Sequence, residues 1–102
     1  MHDLQDKAIR SALSGDWEGA VEINLEILSE NAQNITALNR LGRAYTELGQ
    51  KDAAKDAYEQ VLKIDKYDTI ATKNLKLLTH QKKIIRKLYV GLSVLYKTNC
   101  RL

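Results

Sequence analysis

Hydrophobic residues recur every three or four positions along most of the chain, the spacing that places them on one face of a helix. In the middle of the chain, apolar residues 38, 41, 45 and 48 form one such face, and a second run extends from Ala54 to Ile64. Gly49 lies between them, where a turn with left-handed backbone favours glycine. The pattern therefore predicts a helical hairpin. Extended to the whole chain, it predicts helices at about 2–13, 17–30, 35–48, 51–64 and 69–87.

The chain also resembles itself at an offset of 34 residues. Between residues 1–34 and 35–68, the identical pairs at this offset are Gly15/Gly49, Ala20/Ala54, Leu4/Leu38 and Leu28/Leu62. Small residues thus match small ones, and apolar residues match apolar ones, at positions where two helices must approach each other closely. We therefore predict two copies of the helical hairpin, residues 1–34 and 35–68.

The second copy resembles the tetratricopeptide repeat. The residues that carry the resemblance are Leu38, Leu41-Gly42, Tyr45, Ala54 and Tyr58, with Lys66 where the family has proline. The first copy is more degenerate, because Lys7, Ser11 and Asn24 stand where the family usually has leucine, tyrosine and a bulky residue. The resemblance implies an all-α fold of antiparallel helix-turn-helix repeats, stacked as an α-α superhelix or solenoid. It also implies a protein-binding domain without catalytic activity.

The pattern over residues 69–87 predicts one further helix that caps the repeats. Asp68 suits the N-cap position, and Ala71, Leu75 and Leu78 continue the apolar face of the second hairpin. A stable array usually needs roughly three repeats, so either this helix closes the core or a partner or second copy does. Residues 88–102 then form a basic and apolar C-terminal tail.

The composition agrees with helices throughout the predicted repeats. The chain has 102 residues with no proline, and leucine and alanine, both strong helix formers, are its commonest apolar residues. A β-sandwich or barrel would need frequent turn residues and β-branched runs, so this class is excluded. The net charge of +3 is unevenly distributed, since residues 1–81 carry −3 and residues 82–102 carry +6. The repeats themselves are therefore mildly acidic.

Candidate catalytic or metal-binding side chains are few. His2 and His80 have no carboxylate neighbour at a spacing typical of a catalytic or metal pair, and Cys100 is the only cysteine, so we expect no enzyme activity, metal or cofactor. Asn34-Ile-Thr36 matches a glycosylation sequon, but a helix N-cap is the better interpretation. The acidic, polar N-terminus does not resemble a secretory signal, and no apolar stretch approaches the roughly 18 residues that span a bilayer. We therefore expect a cytoplasmic protein.

The resemblance implies a concave groove lined by the first helix of each hairpin. The residues expected there are Gln5, Ile9, Ala12 and Leu13 from the first hairpin, Asn39, Arg40, Arg43 and Glu47 from the second, and Lys73, Asn74 and Leu77 from the cap. Arginine and asparagine side chains can bind the backbone and carboxylates of an extended, acidic peptide. Two other interpretations stay open: the polar residues are ordinary solvated positions, and the apolar ones are core residues of a degenerate repeat.

Residues 82–97 combine basic residues with apolar ones spaced three or four apart, which is typical of a basic amphipathic helix or of a helix that breaks near Gly91. The segment could extend the cap helix, dock into the groove of its own or a neighbouring chain, lie on an anionic membrane, or contact phosphate. The first two interpretations fit best, because the six basic residues of 82–102, without a wider basic face, make a weak nucleic-acid site. The alternative to peptide binding is thus a homo-oligomer, or a membrane-peripheral protein, formed through this segment.

Overall fold

The chain forms a row of antiparallel helices in a computed structural model that describes residues 2–80. The helices are α1 (His2–Ser14), α2 (Trp17–Glu30), α3 (Ile35–Glu47), α4 (Lys51–Ile64) and α5, which begins at residue 69 and is described up to residue 80. No strand occurs within these residues, and the predicted all-α repeat fold is confirmed. The predicted last turns of the cap helix and the whole C-terminal tail, residues 81–102, lie outside the described residues.

The two hairpins turn in the same way, 34 residues apart. Gly15 and Gly49 have backbone φ angles of +78° and +77°, which residues other than glycine rarely adopt. The amide that follows each glycine donates to a carbonyl five residues earlier, from Asp16 to Ser11 and from Gln50 to Tyr45, both at 2.9 Å. These bonds satisfy carbonyls at the ends of α1 and α3, so each glycine ends a helix and reverses the chain.

Side-chain caps begin three of the helices. The carboxylate of Asp16 accepts from the amide of Gly19 at 3.0 Å, and Asn34 Oδ1 accepts from the amide of Ala37 at 3.1 Å. Asp68 Oδ1 accepts from the amide of Ala71 at 2.9 Å and starts α5. The predicted N-caps at Asn34 and Asp68 are therefore confirmed, and each satisfies one amide that the helix itself leaves unpaired.

The core lies between successive helices in two clusters. The larger cluster joins α3, α4 and α5 and contains Leu38, Ala54, Tyr58, Val61, Ala71 and Leu78. The smaller one joins the first hairpin to α3 through Ala8, Ile27 and Ala37. Leu28 packs against both clusters, which makes the core continuous. Because Ala71 and Leu78 are buried in the larger cluster, α5 packs against the second hairpin.

Candidate functional site: a groove bordered by α1, α3 and α5

Two pockets lie side by side along α3. The first-repeat pocket, about 240 Å³, is lined by Ala8, Ala12, Leu13, Trp17, Ala20, Asn24, Arg40 and Arg43. The α3–α5 pocket, about 350 Å³, is lined by Ile35, Thr36, Asn39, Arg40, Arg43, Asp68 and Ile70. Arg40 and Arg43 line both pockets, so the two arginines lie where the pockets meet. The pockets together form one face bordered by α1, α3 and α5, which we call the groove.

The predicted groove residues fall into three groups in the structure. Arg40 and Arg43 lie at the centre of the groove, and Leu13 and Asn39 line one pocket each. Gln5 and Ile9 are exposed on α1 but line neither pocket. The residues from α5 are spread out: Lys73 and Leu77 line a separate depression of about 990 Å³, whereas Asn74 is half-buried and its Nδ2 donates to the carbonyl of Ile70 at 2.8 Å.

Arg43 is held by contacts on both sides. Its Nε donates to Glu47 Oε1 at 2.9 Å, and its guanidinium lies 5.6 Å from the centre of the Trp17 ring. A cation at this distance from an aromatic ring is attracted to the ring face. Trp17 begins α2, so this contact joins the two hairpins across the groove wall. The sequence pattern did not identify Trp17 as a site residue, although it is the only tryptophan in the chain.

Asn39 is largely buried in the wall of the α3–α5 pocket. It is 9% exposed, and its Nδ2 lies 3.4 Å from Asp68 Oδ2. Its Oδ1 is buried and has no hydrogen-bond partner among the described residues. Asn39 therefore links α3 to the beginning of α5, and its side-chain amide is already used in this contact within the protein.

The apolar residues expected in the groove are exposed. Ile9 is 41% exposed, Leu13 is 83% exposed and Leu77 is 50% exposed. The sequence left open whether these apolar residues line a groove or pack in the core of a degenerate repeat. Their exposure excludes core packing in the described fold. A contiguous exposed apolar surface is typical of a binding site, whereas single exposed apolar residues are common on any protein.

The first-repeat pocket lies at positions where the two repeats differ in sequence. In the second repeat the buried ring of Tyr58 packs so closely on Gly42 that a Cβ atom there would lie 2.6 Å from Tyr58 Cζ. The corresponding residues of the first repeat are Asn24 and Ala8, and both are buried. Asn24 Nδ2 donates to the carbonyl of Ala20 at 2.8 Å, but Asn24 Oδ1 has no partner among the described residues. Such an unpaired buried acceptor costs about 1–3 kcal/mol.

The fold changes the acidity of the buried Tyr58 phenol. Burial raises the pKa of Tyr58 above its ordinary value of 10.0, because the charged phenolate would lose solvation. A hydrogen bond with the side chain of Thr46 and the positive charge of Arg43 lower the pKa and partly oppose this effect. Tyr58 therefore stays protonated at neutral pH and acts as a packing residue.

Within residues 2–80, no three histidine, cysteine, aspartate or glutamate side chains come together as a metal site could require. The helices of the same residues include none that is long and apolar enough to cross a lipid bilayer.

Comparison with known protein families agrees with the helical repeat fold. Residues 35–68, which span α3, α4 and the loop up to the cap of α5, match the family described as the tetratricopeptide repeat. Tetratricopeptide repeats generally mediate protein–protein interaction and are typically not catalytic. The helix order, the repeated glycine turns and this match support one conclusion: residues 35–68 form a repeat of the tetratricopeptide type within an all-α repeat fold.

Proposed function

We propose that this protein is a non-catalytic interaction domain that binds an acidic peptide or helix of a partner protein in the groove. The observation that carries the proposal is the position of Arg40 and Arg43, which line both pockets. A peptide that follows the groove would pass both guanidinium groups, whatever its direction. Guanidinium groups bind carboxylates through paired, charge-assisted hydrogen bonds, so acidic residues at the middle of the peptide would be favoured.

The contacts of Arg43 support a binding role. Its side chain is 62% exposed even though Glu47 and Trp17 hold it from two sides. An arginine that is both exposed and already oriented loses less conformational freedom when it binds a ligand. Leu13 and Ile9 are exposed on α1 and add apolar surface to the first repeat. The partner would therefore combine acidic residues, which face α3, with apolar residues, which face α1.

A charge-reversal experiment tests the proposal. The full chain is titrated with a synthetic acidic peptide that carries one central aromatic residue, and binding is measured by calorimetry. We expect Arg40→Glu/Arg43→Glu to weaken binding by about tenfold or more, and we expect the affinity of the unmodified protein to fall with added salt.

The matched control reverses two charges elsewhere. Lys55→Glu/Lys63→Glu changes the net charge by the same amount on α4, and neither lysine lines the groove pockets. This variant should keep most of the affinity. Equal losses in the two variants, or no loss in either, would contradict groove binding by the arginines.

Self-association is the second candidate function, and exposed apolar residues on α5 favour it. On α5, which precedes residues 82–97 in the sequence, Ile70 is 54% exposed and Leu77 is 50% exposed. Light scattering of the full chain over a range of concentrations measures its mass. If the protein is a homo-oligomer formed through that segment, Leu88→Asp/Leu92→Asp should convert it to a monomer, whereas Arg40→Glu/Arg43→Glu should not.

A further inference from the structure

We propose that the first-repeat pocket binds the side chain of a phenylalanine in the partner peptide. This inference rests on the proposed function, because the peptide must lie in the groove. It goes further in naming the residue that the groove selects and the repeat that selects it.

In the second repeat, an aromatic ring occupies the place that corresponds to the pocket. There, the chain supplies its own aromatic ring, Tyr58, which is buried against Gly42 and between α3 and α4. At the same positions the first repeat has Asn24 and Ala8. An amide side chain is much shorter than a phenol, so the first repeat does not supply a ring of its own. The pocket is found at this place in the first repeat, lined by both Ala8 and Asn24.

The size and the walls of the pocket suit an aromatic ring. Its volume is about 240 Å³, and in another protein a cavity of about 150 Å³ with apolar walls binds benzene. Most of the lining is apolar, from Ala8, Ala12, Leu13, Trp17 and Ala20. Trp17 can pack edge to face or offset against an incoming ring. Arg40 and Arg43 at the junction of the pockets add cation–π attraction for the same ring.

The polar groups favour phenylalanine over tyrosine. In the second repeat the side chain of Thr46 is the polar group beside the Tyr58 hydroxyl, and its own proton goes to the carbonyl of Gly42 at 2.8 Å. The first repeat has Ala12 at that position, so a tyrosine hydroxyl in the pocket would lose water without gaining this polar neighbour. Asn24 Oδ1 does not replace it, because that atom is sealed from solvent. A phenylalanine ring has no such cost.

The test uses the full chain and four acidic peptides that differ only in one central residue: phenylalanine, tyrosine, leucine or alanine. Trp17 lines the pocket and is the only tryptophan, so its fluorescence reports on the pocket directly. We expect the phenylalanine peptide to bind at least about tenfold more tightly than the alanine peptide, as burial of a full aromatic side chain implies. It should also bind more tightly than the tyrosine and leucine peptides and change the Trp17 emission most.

Two variants separate the pocket from the groove as a whole. Ala8→Gly/Asn24→Tyr reproduces the residue pair of the second repeat and fills the pocket from within. This variant should bind all four peptides like the alanine peptide while its salt dependence is kept, and thermal unfolding shows that it folds. Ala12→Thr supplies the hydroxyl partner that Thr46 provides in the second repeat, and it should raise the affinity for the tyrosine peptide relative to the phenylalanine peptide.

The outcomes distinguish this inference from the proposed function. If the four peptides bind the unmodified protein equally, or if the filled variant keeps its preference for phenylalanine, the pocket assignment is overturned, while an effect of Arg40→Glu/Arg43→Glu still supports groove binding. If no acidic peptide binds, the proposed function fails. The pocket is then tested with N-acetyl-phenylalanine amide alone, and no change in Trp17 emission at millimolar concentration overturns the pocket too.

Discussion

Asn39 in α3 and Asp68 at the start of α5 are joined side chain to side chain, with Asn39 Nδ2 3.4 Å from Asp68 Oδ2. The same carboxylate caps α5, since its Oδ1 accepts from the amide of Ala71 at 2.9 Å. One aspartate therefore begins the cap helix and fixes it to the second hairpin. Because both residues line the α3–α5 pocket, this link also sets the width of the groove there.

Removal of the Asp68 side chain should loosen α5. We expect Asp68→Ala to lower the free energy of unfolding by about 1–2 kcal/mol, because the cap and the contact with Asn39 are lost together. Asp68→Asn should lose much less, since asparagine caps helices about as well as aspartate. Denaturant unfolding of the full chain measures both. A loss for Asp68→Asn as large as that for Asp68→Ala would mean that the negative charge, and not the cap, is what matters.

The contact of Tyr58 with Gly42 predicts a strong coupling between these residues. A Cβ at position 42 would lie 2.6 to 2.8 Å from three atoms of a ring that has no room to move away. We expect Gly42→Ala to lower the free energy of unfolding by about 1–3 kcal/mol, as overpacked cores do.

A double-mutant cycle isolates this coupling. In a Tyr58→Asn background, Gly42→Ala should cost little or stabilise the protein slightly, because the ring is gone and alanine favours the helix. The combined variant then has the pair found at Ala8 and Asn24 in the first repeat. If Gly42→Ala costs the same with and without the ring, the penalty does not come from the contact with Tyr58.

The two hairpin turns should respond equally to loss of glycine. Nothing lies within 4 Å of a Cβ built on Gly15 or Gly49, so the cost of alanine there is that of a positive φ alone. We expect Gly15→Ala and Gly49→Ala each to lower stability by about 1–2 kcal/mol. Asparagine tolerates this backbone better, so Gly49→Asn should cost less. Thermal unfolding checks the set, and a much larger loss at one turn would show that the turns differ in more than backbone strain.

The features that the sequence predicts well are those that depend on neighbouring residues. The turns at Gly15 and Gly49 and the caps at Asn34 and Asp68 each involve residues within a few positions, so local spacing identifies them. Spacing also places Arg40 and Arg43 on one helix face, although only the structure brings them to the junction of two pockets.

The features that the sequence pattern misses depend on residues far apart in the sequence, or on the absence of an aromatic side chain that the other repeat has. Asn39 looks like a solvated polar position on its helix, yet its partner Asp68 lies 29 residues later. Asn24 interrupts the apolar pattern of α2. The pattern predicts neither that this side chain is buried nor that a pocket lies beside it. The aligned positions of the two repeats carry the signal, because Asn24 corresponds to Tyr58 and Ala12 to Thr46.

Ionisation of Tyr58 should limit stability at alkaline pH. Burial raises the pKa of Tyr58 in the folded protein above 10.0, so the folded state holds this proton more tightly than the unfolded chain. The contribution to stability is complete below pH 10. It is lost as the pH rises from 10 through the raised pKa, at up to about 1.4 kcal/mol per pH unit. Tyr58→Phe removes the ionisation and should flatten this part of the stability curve, although loss of the hydroxyl contact with Thr46 lowers stability at neutral pH.

The control for this prediction is Tyr67→Phe, which removes a phenol that is 78% exposed. That variant should keep the full alkaline loss of stability, because Tyr58 is still present. Urea unfolding at a series of pH values from 8 upward, with the phenolate absorbance followed in parallel, measures both quantities on the same samples. If Tyr58→Phe and the unmodified protein lose stability in parallel above pH 10, another group controls alkaline unfolding, and the buried phenol contributes only through its packing on Gly42.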